Sequence, residues 1–140
     1  MPPRAINILH VEDEDSQRRL FAHHLRTLNE FQFEIVYADS EEIALEIFRS
    51  APINFVILDY NLRQGIGLHC LQLIREHDPI VPIIAISGAA SDEIAADLVQ
   101  AGADDYISKR DLTSGLLADR MRDALKRADT WRERHINHQN

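Results

Sequence analysis

Five short apolar runs, each followed by a stretch of helical periodicity, confine this chain to few folds. The runs are Ala5–Val11, Phe33–Ala38, Ile53–Asp59, Val81–Ile86 and Asp105–Ser108. They are too short and too β-branched for helices and read as strands. Between them, Ser16–Leu28 places Leu20, Phe21, His24, Leu25 and Leu28 at helical spacing. Asp39 or Ser40 caps a second helix that faces inward through Ile43, Ala44, Ile47 and Phe48. Leu68–His77 is a third, with Leu68, Leu71 and Ile74 turned in. Ser91 or Asp92 opens a fourth that stops at Gly102, and a last helix starts near Thr113. Strict alternation of strand and helix requires right-handed crossovers and a parallel sheet. Helices on both faces require the winding to reverse once.

The run Phe55-Val56-Ile57-Leu58 is apolar without a break, as in a strand buried on both faces, and it ends in Asp59. Such a strand delivers its last residue to the carboxyl edge of the sheet, where open α/β folds bind ligands. In the flavodoxin-like order 2-1-3-4-5 the ligand lies between strands 1 and 3. That order sets Glu12 and Asp13, which follow strand 1, beside Asp59. Ser87 and Lys109 end strands 4 and 5 at the same edge. Each has an ordinary role when taken singly: helix-terminal charge, cap or surface lysine. Together they make a chemical unit. Three close carboxylates do not all stay ionised without a cation, and an all-oxygen ligand set suits Mg²⁺. Lys109 opposite the metal clamps a dianionic oxyanion, and the Ser87 hydroxyl adds a neutral donor. That is the arrangement needed for phosphoryl transfer to Asp59.

Composition narrows the classes. The chain has 140 residues with 45% hydrophobic, which fits one domain with its own core. Its net charge of −8 argues against nucleic-acid binding by bulk electrostatics. No apolar run is long enough to span a bilayer, and Met-Pro-Pro-Arg leads straight into a strand without a signal peptide. The expectation is a soluble cytoplasmic protein without a membrane partner. Cys70 is the single cysteine, which excludes an intrachain disulfide, and it reads as a half-buried helix residue. The seven histidines show no metal-ligand spacing.

Five segments carry a family resemblance: Ile8-Leu9-His10-Val11-Glu12-Asp13-Glu14, Val56-Ile57-Leu58-Asp59, Ile84-Ala85-Ile86-Ser87-Gly88, Ala101-Gly102-Ala103-Asp104-Asp105-Tyr106 and Ile107-Ser108-Lys109. From Asn7 to about Lys126 the chain resembles the receiver domain of two-component response regulators, the CheY-like superfamily. The resemblance implies a doubly wound (βα)5 fold with a five-stranded parallel sheet, here with an extended C-terminal helix. It implies a receiver over 5–127 and a helical extension or linker over 128–140, partly a flexible tail. Asp59 would take a phosphoryl group from a kinase phosphohistidine. Asp13, Asp59 and the backbone carbonyl of Asn61 would ligate Mg²⁺, with Glu12 acting through water. Lys109 would hold a phosphoryl oxygen. Ser87 would bond the transferred group, and Tyr106 would swing inward as Ser87 moves. The face of the fourth helix, fifth strand and fifth helix would switch. The implied partner is a sensor histidine kinase or phosphotransfer protein, and a homodimer through that face or the C-terminal helix is a further expectation. The implied role is a phosphorylation switch with slow self-dephosphorylation rather than a metabolic enzyme. It would be a single-domain regulator or the N-terminal receiver of a longer protein.

Two positions depart from the family's pattern. Arg110 stands where a cis proline usually follows the lysine, and a cis bond to a non-proline residue costs roughly 3 kcal/mol, so a trans bond is expected. Arg63 replaces a second proline, with Gly65 and Gly67 keeping its loop permissive. Three other readings compete with this one. A flavin carrier needs a Ser/Thr/Gly phosphate loop after the first strand, where this chain is acidic. A phosphatase-like hydrolase wants a second acid two residues past Asp59, where this chain has Asn61. A receiver-like interaction domain that works without phosphorylation remains the alternative. In the last helix Leu117, Met121, Ala124, Ala128 and Trp131 step by four and three, a coiled-coil seam. That pattern predicts that Ala128–His135 projects as a signalling helix.

Overall fold

A computed structural model describes residues 2–62, 65–88 and 91–139. Five strands, β1 (Arg4–Val11), β2 (Phe31–Ala38), β3 (Phe55–Asp59), β4 (Ile83–Ser87) and β5 (Asp105–Ser108), pair in parallel in the order β2-β1-β3-β4-β5. The crossovers run through α1 (Asp15–Arg26), α2 (Glu41–Ser50), α3 (Gly67–His77) and α4 (Asp92–Gln100). After β5 a 3₁₀ turn (Lys109–Asp111) leads into α5 (Ser114–Gln139). This is the doubly wound flavodoxin-like fold expected from the strand alternation, and the CheY-like fold that the resemblance implies.

The sheet separates two apolar layers. Ile6, Ile8, Phe55, Ile57, Ile84, Ile86 and Ile107 face Phe21 and Leu25 of α1 and Leu117, Met121 and Ala124 of α5. Their alternates Leu9, Val11, Val56, Leu58, Ile83 and Ala85 face Ala44, Leu71, Ile74 and Leu98 of the other three helices. Both faces being covered is why the inner strands read as unbroken apolar runs.

Local chemistry sets the boundaries. The Ser40 hydroxyl accepts from the Ile43 N–H and caps α2, and Ser91 does the same for α4 through Ile94. Gly102, at φ 115°, follows α4 in the left-handed region. β3 begins two residues later than Ile53. The Asn54 side-chain oxygen accepts from the Asn7 N–H, while its own N–H donates to the Asn7 carbonyl, so a side chain replaces one rung of the ladder. β4 likewise starts at Ile83, because the N–H groups of Ile80 and Val81 are held by the Asp78 carboxylate in a turn. Helix α1 stops at Arg26, where the Thr27 hydroxyl donates to the His24 carbonyl. Leu28 lies beyond it yet is buried.

Several expectations about faces need correction. Leu20 and Ile43 are 40% and 41% exposed, because each lies at the margin of its helix's inner stripe. Cys70 is fully buried rather than half-buried, since α3 turns it toward the sheet with Leu71 and Ile74. The proposed seam is not free: Leu117, Met121, Ala124 and Ala128 are all buried within the chain, and only Trp131 stands clear. A 3.5-residue stripe on a helix covering a sheet fills the core and imitates a pairing seam. The Lys109–Arg110 bond is trans, and the 3₁₀ turn absorbs the arginine. Arg63 lies outside the described residues.

Candidate functional site

β1 and β3 are neighbours in the sheet, and Val11 is paired with Leu58. The residues that follow them therefore emerge together. Glu12 stays tied to the sheet through its N–H on the Ala38 carbonyl, and the residue is 1% exposed. Asp59 is 3% exposed. Ligand oxygens of Glu12, Asp13 and Asp59 all lie within 4.8 Å of one another. Lys109 reaches in from the end of β5. Its Nζ donates to Asp59 Oδ2 at 3.2 Å and lies 3.6 Å from Glu12 Oε1.

The electrostatics follow from this crowding. Burial, reinforced by the Asp59 hydrogen bond and charge, pushes the Glu12 carboxyl up to about 8. Burial alone would lower the Lys109 pKa, but the facing carboxylates of Asp59 and Glu12 outweigh it and hold the ammonium above its ordinary value. A pocket with more acid than one lysine can neutralise, and with only oxygen donors, fits a hard divalent cation.

Backbone geometry fixes Asp59. The Tyr60 N–H donates to the Ile86 carbonyl, and the Asn61 N–H donates to Asp59 Oδ1 at 3.1 Å. The Gly67 N–H donates to the Tyr60 carbonyl at 2.7 Å. A Cβ at Gly67 would collide with the Asp59 carbonyl oxygen. Gly67 therefore lets α3 start directly against the loop that carries the aspartate.

Ser87 ends β4 at the same edge, fully buried, one residue past the Asp59–Ile86 pair. Tyr106 sits lower on β5, paired with Ala85 and packed against the α4 side of the core. The structure thus gathers Glu12, Asp13 and Asp59 around one point and sets Lys109 against Asp59 and Glu12, with Ser87 and Asn61 at the same edge and Tyr106 a layer away.

Sequence reasoning missed two supports. Arg18, from the first turns of α1, donates through Nε to the Glu12 carbonyl at 2.7 Å and lays its guanidinium over the Tyr37 ring, 5.2 Å from its centroid. It pins the turn that carries Glu12 and Asp13. His10, 2% exposed, packs edge-on to Phe21 beneath the pocket, with Nδ1 lacking a partner among the described residues. Burial, with the Arg18 and Lys109 charges, lowers its pKa to about 3, so it stays neutral. The signal for Arg18 was a cation six residues past Glu12, which gains meaning only once α1 folds back over the strand end.

The sequence matches the response regulator receiver domain family over residues 8–120. The chain belongs to that family. It is a receiver domain of a two-component response regulator. The receiver is 36% identical over 106 residues to the NtrX-like response regulator of Rickettsia felis, covering 74% of this chain and 22% of that protein. It therefore spans about a fifth of that relative's length. The structure of NtrX from Brucella abortus matches with TM-score 0.82 and 30% identity, over 92% of this chain and 28% of that one. A CheY-like receiver from Methanospirillum hungatei shares the fold, with TM-score 0.78 at 23% identity, over 90% of this chain and 98% of that one. Among the described residues no helix is long and apolar enough to cross a membrane.

Proposed function

We propose that this receiver is a phosphorylation switch whose acceptor is Asp59. The observation that carries the reading is the Lys109 ammonium set between Asp59 and Glu12, within a trio of carboxylates that share one ion-sized space. Asp13, Asp59 and the Asn61 carbonyl would hold Mg²⁺, with Glu12 acting through water. The ion would neutralise phosphoryl oxygens during transfer. A carboxylate oxygen of Asp59 attacks phosphorus and the bond to the donor histidine nitrogen breaks, leaving the imidazole to take up a proton. Lys109 holds one phosphoryl oxygen, and Ser87 donates to another. Tyr106 then moves with Ser87, altering the face of α4, β5 and α5. Water later cleaves the acyl phosphate slowly.

The donor would be a sensor histidine kinase or phosphotransfer protein. The receiver acts alone or heads a longer protein, in the cytoplasm, with no nucleic acid or membrane bound by the receiver itself. Its homodimer would use the α4-β5-α5 face or the end of α5.

The test is labelling by acetyl phosphate with Mg²⁺, read by intact mass. One phosphoryl group should be added to the wild type and none to Asp59→Asn. Equal labelling of that variant would refute the assignment. Absence of labelling in both would favour a receiver-like interaction domain that works without phosphate. Lys109→Ala should still bind Mg²⁺ but fail to pass phosphorylation on to α4 and β5, as read by amide chemical shifts.

A further inference from the structure

The turn that carries Glu12 and Asp13 is held differently from the starts of α2 and α4. Ser40 and Ser91 cap those helices with their hydroxyls. Glu14, in the same place before α1, makes no capping bond with its side chain among the described residues. A helix entry without a cap leaves its peptide planes less fixed. The bond that takes over comes from within α1. Arg18 Nε donates to the Glu12 carbonyl at 2.7 Å. At the other end of the same peptide plane, the Asp13 N–H donates to Glu12 Oε2 at 3.1 Å. The C=O and N–H of a trans peptide point in opposite directions. Holding the carbonyl toward α1 therefore aims the Asp13 N–H at the Glu12 carboxylate, whose other oxygen lies 3.6 Å from Lys109. It also sets the directions in which the two acidic side chains leave the backbone.

Arg18 is itself held in place. Its guanidinium lies over the Tyr37 ring, 5.2 Å from the centroid. Tyr37 precedes Ala38, whose carbonyl accepts from the Glu12 N–H at 2.9 Å. The ring, the arginine and the Glu12 backbone thus close a loop of contacts between the ends of β1 and β2 and the start of α1. The charge of Arg18 works against this geometry. It is felt at His10 beneath the pocket, and a positive charge on the turn that carries two acidic ligands opposes a metal ion. The charge and the hydrogen bond of Arg18 therefore push cation binding in opposite directions, so the two effects can be told apart. We infer that Arg18 is a positioning residue for the metal site: its bond to the Glu12 carbonyl orients the Glu12–Asp13 peptide so that both carboxylates converge on Asp59. The inference rests on the reading of that cluster as a Mg²⁺ site.

The experiment compares the wild type with Arg18→Met, which keeps an unbranched side chain and removes the donor and the charge. In metal-free protein, hydrogen exchange at the Asp13 amide should quicken by about tenfold, while the paired strand amides around Val11 and Leu58 stay protected. Calorimetric titration with Mg²⁺ should show binding about tenfold weaker, although the variant has lost a repelling cation. Labelling of Asp59 by acetyl phosphate should need correspondingly more Mg²⁺ to reach half its maximal rate, with the rate at saturating Mg²⁺ within about twofold of the wild type. Arg18→Lys restores a donor to the carbonyl and should recover part of each effect. Tyr37→Leu leaves the charge in place but removes the ring beneath it, and should weaken Mg²⁺ binding by a smaller factor. A residue that served stability alone would lower the thermal midpoint and leave the Mg²⁺ half-saturation where it was. Mg²⁺ affinity in Arg18→Met equal to or tighter than the wild type overturns the proposal and leaves the metal site standing. Absence of Mg²⁺ binding in the wild type overturns the metal-site reading and this inference with it.

Discussion

His10 shows what one residue in the wrong-looking place does to the energetics. Its ring is buried among Phe21, Tyr37 and two cations, and its pKa is lowered from 6.5 to about 3. Below pH 6.5 the unfolded chain gains a proton that the folded chain refuses. Stability therefore falls as pH drops through the window from 6.5 toward 3, by about 1.4 kcal/mol per pH unit for one such group. His10→Leu removes the titration and the lone Nδ1. Urea midpoints of the variant should match or exceed the wild type at pH 7 and should fall less steeply between pH 6 and 4. Parallel pH curves for the two proteins would count against this account.

At the scale of elements, the start of α3 is the tightest join in the fold. Gly67 touches the backbone immediately after Asp59, so Gly67→Ala forces the helix or the aspartate loop to shift. A loss of about 1–3 kcal/mol in urea unfolding is expected, with slower labelling of Asp59 by acetyl phosphate. Wild-type stability and labelling in Gly67→Ala would show that the loop accommodates the methyl. The strands and their edge chemistry were legible in the sequence, because an apolar run and the polar residue that ends it are adjacent in the chain. Glu12, Asp13, Asp59, Ser87 and Lys109 all announce themselves in that way. Gly67 and Arg18 do not, because their reasons are contacts with backbone six to eight residues back, at Glu12 and Asp59, that only the turn of the chain after each strand brings close. The inner stripe of α5 misled for a related cause: its period is the same whether it meets a sheet or a second helix.

The whole molecule is a sheet with a long rod along one face. Helix α5 starts beside the Lys109 turn and runs to the opposite edge of the sheet, where Arg4 makes a two-pronged ion pair with Asp129. Arg127 adds a bond to the Asp104 carbonyl at the same edge. Beyond these ties Trp131 and Ile136 are 40% and 58% exposed, and the Trp131 ring stacks on His135 at 3.6 Å. If this end pairs with a second copy, light scattering at high micromolar concentration should find a dimer for the full chain and a monomer for a chain ending at Thr130. Monomers in both, with or without phosphorylation, would eliminate pairing through the helix end. The rod's stiffness has a mechanical consequence. At roughly 1.5 Å per residue, Gln139 lies roughly 27 Å from Met121, so a tilt of about 5° at the packed half carries the free end roughly 2 Å. A displacement too small to disturb the core is thereby magnified, with leverage set by the helix's length, at the edge of the sheet away from Asp59.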